Sequence, residues 1–376
     1  MTKQLRYGLI GCGMMGHEHL LNLSLIEGSS VVAAIEPNAS MRQKLLAELP
    51  HIAIETELDD LLRRQDIDAL LLATPNYQHA AQLREIFAQT NLPVLVEKPV
   101  CITLEEVANL RQLAAAHPAP VWVAMEYRYM PPIAALREQV THHQQLGTMQ
   151  MLSIREHRFP FLEKVDDWNR FNRQTGGTLV EKCCHFFDLM RLLMQSEAVR
   201  VYGSGGNDVN HKAERYNGES PDILDNAYVI VDFANGKRAL LDLCMFAEGS
   251  RYQEEISVTG SAGKIECFVP GPGRFWPTET LGEQPVSKLA LSPRDPKGPH
   301  EVEIPVDPAL LAVGDHNGST YYQHVGFRQA VLEGAPVEVT LDDGLKAVVL
   351  GMAAQASIEE GRVMRITEDG FAFEAV

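Results

Sequence analysis

Short apolar runs alternate with longer amphipathic segments over the first third of the chain. The apolar runs that we predict to be strands cover residues 5–10, 31–35, 69–73, 94–96 and 121–124. The segments with helical apolar spacing cover residues 18–26, 40–49, 57–64, 79–88 and 104–116. This alternation is typical of buried parallel strands joined by crossover helices. It predicts a doubly wound α/β domain.

The hydrophobic pattern changes after Met130. Predicted strands now follow one another without helices between them, at residues 150–158, 228–233, 238–246, 254–259 and 263–268. Such runs favour an open, largely antiparallel sheet. Two stretches rich in Gly, Pro, Asn and Asp, residues 203–225 and 270–314, are predicted to be long loops. A last helical pattern covers residues 343–360 and ends at Gly361.

The chain length fits two domains better than one, since 376 residues exceed an ordinary single domain. We predict that residues 1–127 form the doubly wound domain with a parallel sheet. Residues 128–376 are predicted to form an α+β domain with a large, open and mainly antiparallel sheet.

Charge and composition narrow the classes of function. The chain has 33 basic and 50 acidic residues and a formal net charge of -17, which would repel phosphate backbones and anionic lipid. No apolar stretch approaches the roughly 18–20 residues that span a bilayer, and no secretion signal is visible. The six cysteines show neither zinc-pair nor disulfide spacing. We therefore expect a cytoplasmic protein that binds no nucleic acid, membrane or metal.

A glycine motif follows the first predicted strand, at the point where a helix begins. Gly11 would make the tight turn, Gly13 would let a pyrophosphate approach the backbone, and Gly16 would let helix and strand pack closely. The helix N-terminus would offer a partial positive charge to the diphosphate. An ordinary glycine-rich turn is the alternative interpretation. The motif is Gly11, Cys12, Gly13, Met14, Met15 and Gly16.

The second predicted strand ends in Glu36, twenty positions beyond Gly16. A carboxylate at this place can accept both ribose hydroxyls of an adenosine, and it repels the 2′-phosphate of NADP. The next residues are Pro37 and Asn38, not an arginine. The pattern therefore favours NAD(H) over NADP(H), although Arg42 leaves the choice open. A solvated charge at a strand end is the alternative for Glu36.

Two further motifs end later strands of the same predicted sheet. Thr74, Pro75 and Asn76 follow the strand that ends at residue 73, and Glu97 and Lys98 follow the strand at residues 94–96. Ligands of doubly wound sheets bind beyond these carboxyl ends. Lys98 is thus expected beside a nicotinamide, where it can stabilise a developing alkoxide. A surface lysine paired with Glu97 is the alternative.

The segment at residues 176–190 carries a third set of polar residues. If it forms one helix, Glu181, His185 and Asp188 share a face. A carboxylate beside a histidine fixes its tautomer and prepares it as a general base for a hydroxyl proton. A histidine satisfied inside a helix is the alternative. Cys183 and Cys184 would point in different directions, which disfavours a zinc site.

Candidates for substrate contact surround this segment. Trp and Asn suit the hydroxyl-rich surface of a sugar, and cations suit a carboxylated or sulfonated one. A solvated, packed or capping role is the alternative for each. The candidates are Tyr127, Arg158, Trp168, Asn169, Arg170, Arg173, His316 and Tyr321, followed by Arg155, His157, Lys164, Asn172 and His324.

Together, these residues resemble the glucose-fructose oxidoreductase and inositol dehydrogenase family (Gfo/Idh/MocA). The resemblance rests on the glycine motif, the motifs at residues 74–76 and 97–99, the 176–188 segment, and a closing segment from 316–319 to 358–361. It covers nearly the whole chain and implies a Rossmann domain followed by a substrate domain. It also implies a homodimer or homotetramer, because open sheets in the second domain of this family commonly pair between subunits.

The resemblance assigns roles to three residues. Lys98 would be the catalytic lysine and His185 the catalytic histidine, and Glu181 would stand at the carboxylate position before it. The family usually has aspartate at that position, and glycine where this chain has Cys183. This departure leaves the substrate and the reaction type open.

Three functions follow from these residues. The first is an NAD(H)-dependent dehydrogenase that acts on a hydroxyl of a sugar, sugar acid or cyclic polyol. The second is an NAD-dependent enzyme that cleaves glycosides by transient oxidation and elimination. The third is a dinucleotide-binding sensor without turnover, which would have no need to keep Lys98 and His185 together. We expect the first.

Overall fold

The computed structural model describes residues 3–142 and 146–376, and its first half is built on a parallel sheet. The strands are β1 (Leu5–Ile10), β2 (Ser29–Ile35), β3 (Ala53–Glu55), β4 (Ala69–Leu72), β5 (Val94–Val96) and β6 (Val121–Val123). The helices are α1 (Met14–Ser24), α2 (Ala39–Glu48), α3 (Leu58–Leu62), α4 (Asn76–Gln89) and α5 (Leu104–Ala114). The strand order is β3-β2-β1-β4-β5-β6, with every pairing parallel. The order reverses between β1 and β4, which opens a crevice at their carboxyl ends.

The second half is built on a mixed sheet of ten strands within the described residues. The strands are β7 (Met149–His157), β8 (Ala198–Gly206), β9 (Asn226–Phe233), β10 (Arg238–Cys244), β11 (Glu254–Gly260), β12 (Gly263–Val269), β13 (Lys288–Pro293), β14 (His300–Glu303), β15 (Met364–Ile366) and β16 (Phe373–Ala375). Their order is β14-β13-β12-β11-β7-β10-β9-β8-β15-β16. The pair β7 and β10 is parallel, and the other registered pairs are antiparallel.

Eight further helices complete this described part. They are α6 (Pro131–His142), α7 (Asn172–Thr175), α8 (Thr178–Glu181), α9 (Cys184–Met194), α10 (Thr278–Leu281), α11 (Pro308–Leu311), α12 (Ser319–Glu333) and α13 (Leu341–Glu360). A 3-10 turn at Glu126–Tyr129 connects the two sheets. Helix α13 begins with a capping box between Thr340 and Asp343, and ends at Gly361 in the left-handed conformation. It packs on β8, α8 and α9 and thereby fixes the segment around His185.

The predicted fold class is confirmed, and the predicted strands and helices of the first sheet match observed elements. Strand β4 shows why the pattern was clear: all of its residues are buried, because helices cover both faces of the sheet. The division at residue 127 stays a prediction. None of the helices in the described part of the chain is long and apolar enough to cross a bilayer.

The two predicted long loops were partly wrong. Residues 203–206 belong to β8, and the 270–314 stretch contains α10, β13, β14 and α11. Strand β14 is exposed along its whole length, so it lacks the buried alternation that identifies a strand. Helix α12 was also missed, because it buries the polar residues Gln323 and His324 together with Phe327.

Candidate active site

The glycine motif lies where β1 turns into α1. Gly11 has a φ of +86°, and a Cβ on it would lie 2.9 Å from the carbonyl oxygen of Ala73. A Cβ on Gly16 would collide with the carbonyl oxygen of Gly11. A Cβ on Gly13 would meet nothing within 4 Å, and this residue begins α1 without a side-chain cap. The open backbone and the helix N-terminus form a cradle that fits a diphosphate.

A cavity of about 960 Å³ extends from this cradle along the carboxyl ends of the parallel strands. Its wall includes every predicted cofactor residue except Gly16, which packs behind the turn. The segment 163–168 of the second half closes the opposite side. The predicted cofactor residues in the wall are Gly11, Cys12, Gly13, Met14, Met15, Glu36, Thr74, Pro75, Asn76, Glu97 and Lys98.

Glu36 lies at the far end of this cavity, directly after β2. Its carboxylate accepts hydrogen bonds from the backbone N–H groups of Cys12 at 2.6 Å and Asn38 at 2.8 Å. These contacts hold a negative charge against the glycine turn. Arg42 donates to the carbonyl oxygens of Glu36 and Pro37, so its guanidinium is tied to the backbone. The arrangement fits a ribose diol better than a 2′-phosphate.

The expectation that Glu181, His185 and Asp188 share one helical face is wrong for Glu181. The segment breaks at Lys182 and Cys183 into α8 and α9, so Glu181 and His185 lie on different helices. The Glu181 carboxylate accepts a hydrogen bond from Lys164 Nζ at 3.1 Å. The Asp188 carboxylate accepts two hydrogen bonds from the Arg128 guanidinium, at 2.6 and 2.5 Å. Both predicted partners of the histidine are therefore engaged elsewhere.

Lys98 and His185 nevertheless meet at the junction of the two halves. Lys98 Nζ donates to the backbone carbonyl oxygen of Glu181 at 3.1 Å. Burial opposes the charge of Lys98, but Cys184, Glu97 and Glu181 outweigh it and raise its pKa. His185 is 2% exposed. An ammonium group and a buried imidazole thus face the same region.

The charge state of His185 follows from its surroundings. Burial lowers the pKa of His185 well below its usual value, and the cations Lys98, Lys182, His316 and Arg158 lower it further. The imidazole is therefore neutral at physiological pH and able to accept a proton. Lys98, in contrast, is charged and can donate a hydrogen bond to an oxygen.

An aromatic ring supports His185. The Tyr127 ring lies parallel to the imidazole, with 4.2 Å between centroids and 10° between planes. His185 Nδ1 has no hydrogen-bond partner among the described residues. The orientation of the imidazole thus rests on stacking and not on a carboxylate.

Two family descriptions match the chain. "Oxidoreductase family, NAD-binding Rossmann fold" matches residues 5–125, and "Oxidoreductase family, C-terminal alpha/beta domain" matches residues 137–366. The chain belongs to the Gfo/Idh/MocA family. The predicted resemblance, the oxidoreductase class and NAD as the cofactor are confirmed.

Individual members of the Gfo/Idh/MocA family are similar over almost their full length. The uncharacterized oxidoreductase YrbE of Bacillus subtilis (strain 168) is 27% identical over 97% of this chain and 98% of its own. Inositol 2-dehydrogenase of Rhizobium meliloti (strain 1021) is 25% identical over 96% of this chain and 99% of its own. A solved levoglucosan dehydrogenase in complex with NADH and levoglucosan superposes with a TM-score of 0.78 at 18% identity, over 96% and 99% of the chains.

A buried network of charged residues lies next to Tyr127, and it was not predicted from the sequence. Lys182 Nζ lies 2.5 Å from the Tyr127 hydroxyl and 2.9 Å from Glu156 Oε1. Glu156 and Glu254 face each other across β7 and β11, and both are buried. Burial, with Glu156 next in effect, raises the pKa of Glu254 to about 7. The alternation of inward and outward positions along each strand could have revealed the pair, because each glutamate stands at an inward position in line with buried apolar residues.

A second buried cluster joins α1 to the segment before α12. His316 Nδ1 lies 2.7 Å from Glu18 Oε1, and its Nε2 lies 3.6 Å from Glu126 Oε1. The Thr320 hydroxyl hydrogen-bonds both carboxylates. Burial opposes the charge of His316, but Glu126 and Glu18 raise its pKa to about 9. His316 is therefore protonated. Its positive charge lies near His185 and is paired with the carboxylates of Glu18 and Glu126.

The predicted substrate residues separate into two groups. Tyr127, Arg158 and His316 lie around His185, and Trp168 lines the cavity with Lys164 Nζ 4.4 Å from its ring centroid.

The other candidates have partners outside the cavity wall, and their role in substrate binding stays a prediction. Asn169 donates to the carbonyl oxygen of Leu162, and Arg170 and Arg173 are paired with Glu214 and Glu219. Tyr321 packs on Tyr322. Of the further candidates, His324 lies against His19, Arg155 and His157 pair with Glu255 and Asp242, and Asn172 binds Asp222.

Proposed function

We propose that this family member oxidises a hydroxyl of a sugar, sugar acid or cyclic polyol, with NAD⁺ as the hydride acceptor. The observation that carries the proposal is that Lys98 lines the NAD cavity and that its ammonium group acts electrostatically on the buried imidazole of His185. The family's dehydrogenases support the substrate class, since inositol 2-dehydrogenase aligns with nearly the whole chain.

The two side chains have complementary roles in this reaction. The charged Lys98 donates a hydrogen bond to the reacting oxygen and stabilises the alkoxide that develops on it. The neutral His185 accepts the hydroxyl proton as general base. When bound, NAD⁺ supplies the acceptor for the hydride that leaves the hydroxyl carbon. The alcohol becomes a carbonyl compound, and the proton leaves through His185.

Glu181 has a different role from the one expected. Its carbonyl oxygen holds Lys98, and its carboxylate holds Lys164 on the cavity side of the segment 163–168. We propose that it positions these two cations. Trp168, beneath Lys164, is proposed to contact the flat face of the substrate.

A substrate panel tests the function. Purified protein with NAD⁺ is incubated with polyols, sugar acids and aryl glycosides while NADH absorbance and aglycone release are followed together. We expect NADH to accumulate with a free sugar or polyol, and His185→Ala to lose this activity. Aglycone release without net NADH would instead support the glycoside-cleaving alternative. NAD binding without any reaction would support a sensor.

We also propose that the protein acts in the cytoplasm as a homodimer or homotetramer. Exposed apolar side chains on the outer face of the second sheet support an assembly, because such a face needs cover.

A further inference from the structure

The orientation of His185 has no carboxylate to account for it. Asp188 is held by Arg128 and Glu181 by Lys164. Among the described residues, His185 Nδ1 has no hydrogen-bond partner, although the side chain is buried. A general base that can rotate or change tautomer is a poor one, because proton transfer needs a fixed geometry. Another group must therefore hold the imidazole.

Tyr127 is placed to hold it. Its ring is nearly parallel to the imidazole at 4.2 Å, and it also contacts Phe186 edge-on at 5.7 Å. The turn at Glu126–Tyr129 that carries it follows β6, so the ring comes from the junction between the sheets. Stacking fixes the plane of the imidazole while leaving its nitrogens free.

Lys182 in turn fixes Tyr127. Its ammonium donates to the Tyr127 hydroxyl at 2.5 Å and is paired with Glu156 at 2.9 Å. The Tyr127 hydroxyl donates onward to Glu254 at 3.4 Å. Lys182 sits in the break between α8 and α9, three residues before His185. The break that separates Glu181 from His185 thus directs Lys182 at Tyr127.

We propose that Tyr127, anchored by Lys182, is the positioning residue for His185, and that stacking replaces the carboxylate contact expected from the sequence. The inference rests on the proposed function, since it concerns His185 as the base. The charged and titratable groups that face His185 are Lys98 after β5, Lys182 before α9, Arg158 after β7, His316 before α12, and Tyr127 itself.

The test compares variants that keep or remove the ring. Tyr127→Phe keeps the ring but removes the hydroxyl that Lys182 holds, so we expect it to lose some kcat, but less than a variant without the ring. Tyr127→Leu removes the ring, and we expect kcat to fall by about 10²-fold, the cost of a misplaced catalytic group, with little change in the Kd for NADH. Tyr129→Leu is the matched control, since Tyr129 lies in the same turn but packs on Trp122. If Tyr127→Leu does not fold, Tyr127→Met, which also removes the ring, takes its place in the comparison.

A second readout does not need activity. The ¹⁵N chemical shifts of His185 in the protein without ligand report its tautomer and pKa. Without the ring, water reaches the imidazole, so we expect its pKa to rise in Tyr127→Leu and to stay in place in Glu181→Gln. The double variant Lys182→Met with Glu156→Gln removes the anchor together with the carboxylate that is paired with it. We expect it to shift the acid limb of kcat/KM to higher pH, because His185 loses a cationic neighbour.

The outcomes separate the two proposals. Equal kcat and equal His185 shifts in Tyr127→Leu and Tyr129→Leu would overturn the positioning role. A larger effect of Glu181→Gln than of Tyr127→Leu on the His185 shifts would return that role to the carboxylate. Full activity of His185→Ala would instead defeat the proposed function, whatever the shifts show.

Discussion

Lys98 Nζ donates a hydrogen bond of 3.1 Å to the backbone carbonyl oxygen of Glu181. Lys98 follows β5 of the parallel sheet, and Glu181 ends α8 in the second half of the chain. The contact joins the two halves at the proposed reaction site. It uses a backbone atom, so it does not depend on whether residue 181 is aspartate or glutamate.

The first prediction concerns Lys98. Lys98→Met removes the hydrogen-bond donor for the reacting oxygen, so we expect kcat to fall by about 10²–10³-fold, the usual cost of losing one such donor. The Kd for NADH, measured by fluorescence titration, should change much less. Lys264→Met is the control, because Lys264 is paired with Glu266 on β12, outside the cavity wall. Wild-type kcat in Lys98→Met would remove Lys98 from the reaction.

The second prediction concerns the cofactor. Glu36→Gln keeps one of the two oxygens that accept from the backbone N–H groups of Cys12 and Asn38 and removes the negative charge. We expect the preference for NAD⁺ over NADP⁺ to weaken by about tenfold, equivalent to about 1.4 kcal/mol. The ratio of kcat/KM values for the two cofactors measures it. An unchanged ratio would show that the carboxylate does not select the cofactor.

The third prediction concerns pH and Glu254. Burial beside Glu156 raises its pKa to about 7 in the folded state, above the value of about 4.3 in an unfolded chain. The folded protein therefore binds this proton more tightly, and the stabilisation is present at low pH and lost as the pH rises through about 7. The whole loss amounts to about 4 kcal/mol, of which about 3 kcal/mol falls above pH 5.

Urea unfolding at pH 5 and pH 8 tests this contribution. Glu254→Gln carries no titrating group, so its free energy of unfolding should fall less than that of the wild type between the two pH values. Glu255→Gln is the control, because Glu255 pairs with Arg155 on the other face of β11. Parallel pH dependence in Glu254→Gln and the wild type would contradict the shifted pKa.

The fourth prediction concerns stability. Arg128 and Asp188 form a buried bidentate pair with side-chain exposures of 7% and 0%. Arg128→Met would leave the Asp188 carboxylate buried and unpaired, at a cost of about 3–5 kcal/mol in the free energy of unfolding. Arg137→Met should cost less than about 1 kcal/mol, because Arg137 is 3.8 Å from the half-exposed Glu338. Similar losses in urea unfolding for the two variants would refute the distinction.

The fifth prediction concerns assembly. Tyr202 and Ile230 are opposite each other on β8 and β9, next to Tyr228, and the three are 44–60% exposed. If this face pairs with a second copy, Tyr228→Glu should convert the oligomer to monomer, because it places a charge in an apolar contact. Light scattering after size exclusion measures the mass. Lys264→Glu is a surface-charge control, and an oligomer retained in Tyr228→Glu would argue against this face.

Much of the first sheet could be predicted because its strands are buried on both faces. Continuous apolar runs such as Ala69–Leu72 identify them, and the glycine motif marks the turn by its backbone requirements. The second sheet was predicted less completely. Its edge strands β14 and β16 are short and contain no buried residue, so the hydrophobic pattern that defines a strand is missing there.

The site residues also differ in how far the sequence could predict their positions and partners. Lys98 and Glu36 follow strands of the parallel sheet, so their place at the carboxyl ends of its strands can be predicted from the local sequence. The partners of His185 could not be derived, because a two-residue break in a helix changes which side chains share a face. The break at Lys182 separates Glu181 from His185, and Arg128 engages Asp188, so the relay predicted from the spacing does not form.

The sequence by itself determined the doubly wound domain and the dinucleotide cradle, because these follow from local periodicity and backbone geometry, and it predicted Lys98 and the histidine His185 as site residues. The tertiary structure alone decided which groups surround the histidine. Tyr127, Lys182, Glu156 and Glu254 come from four separate segments, and only the packing of the two sheets brings them together. Burial, together with the charges of Lys98, Lys182, His316 and Arg158, sets the protonation state of the histidine, since burial makes each electrostatic contact stronger than it would be in water.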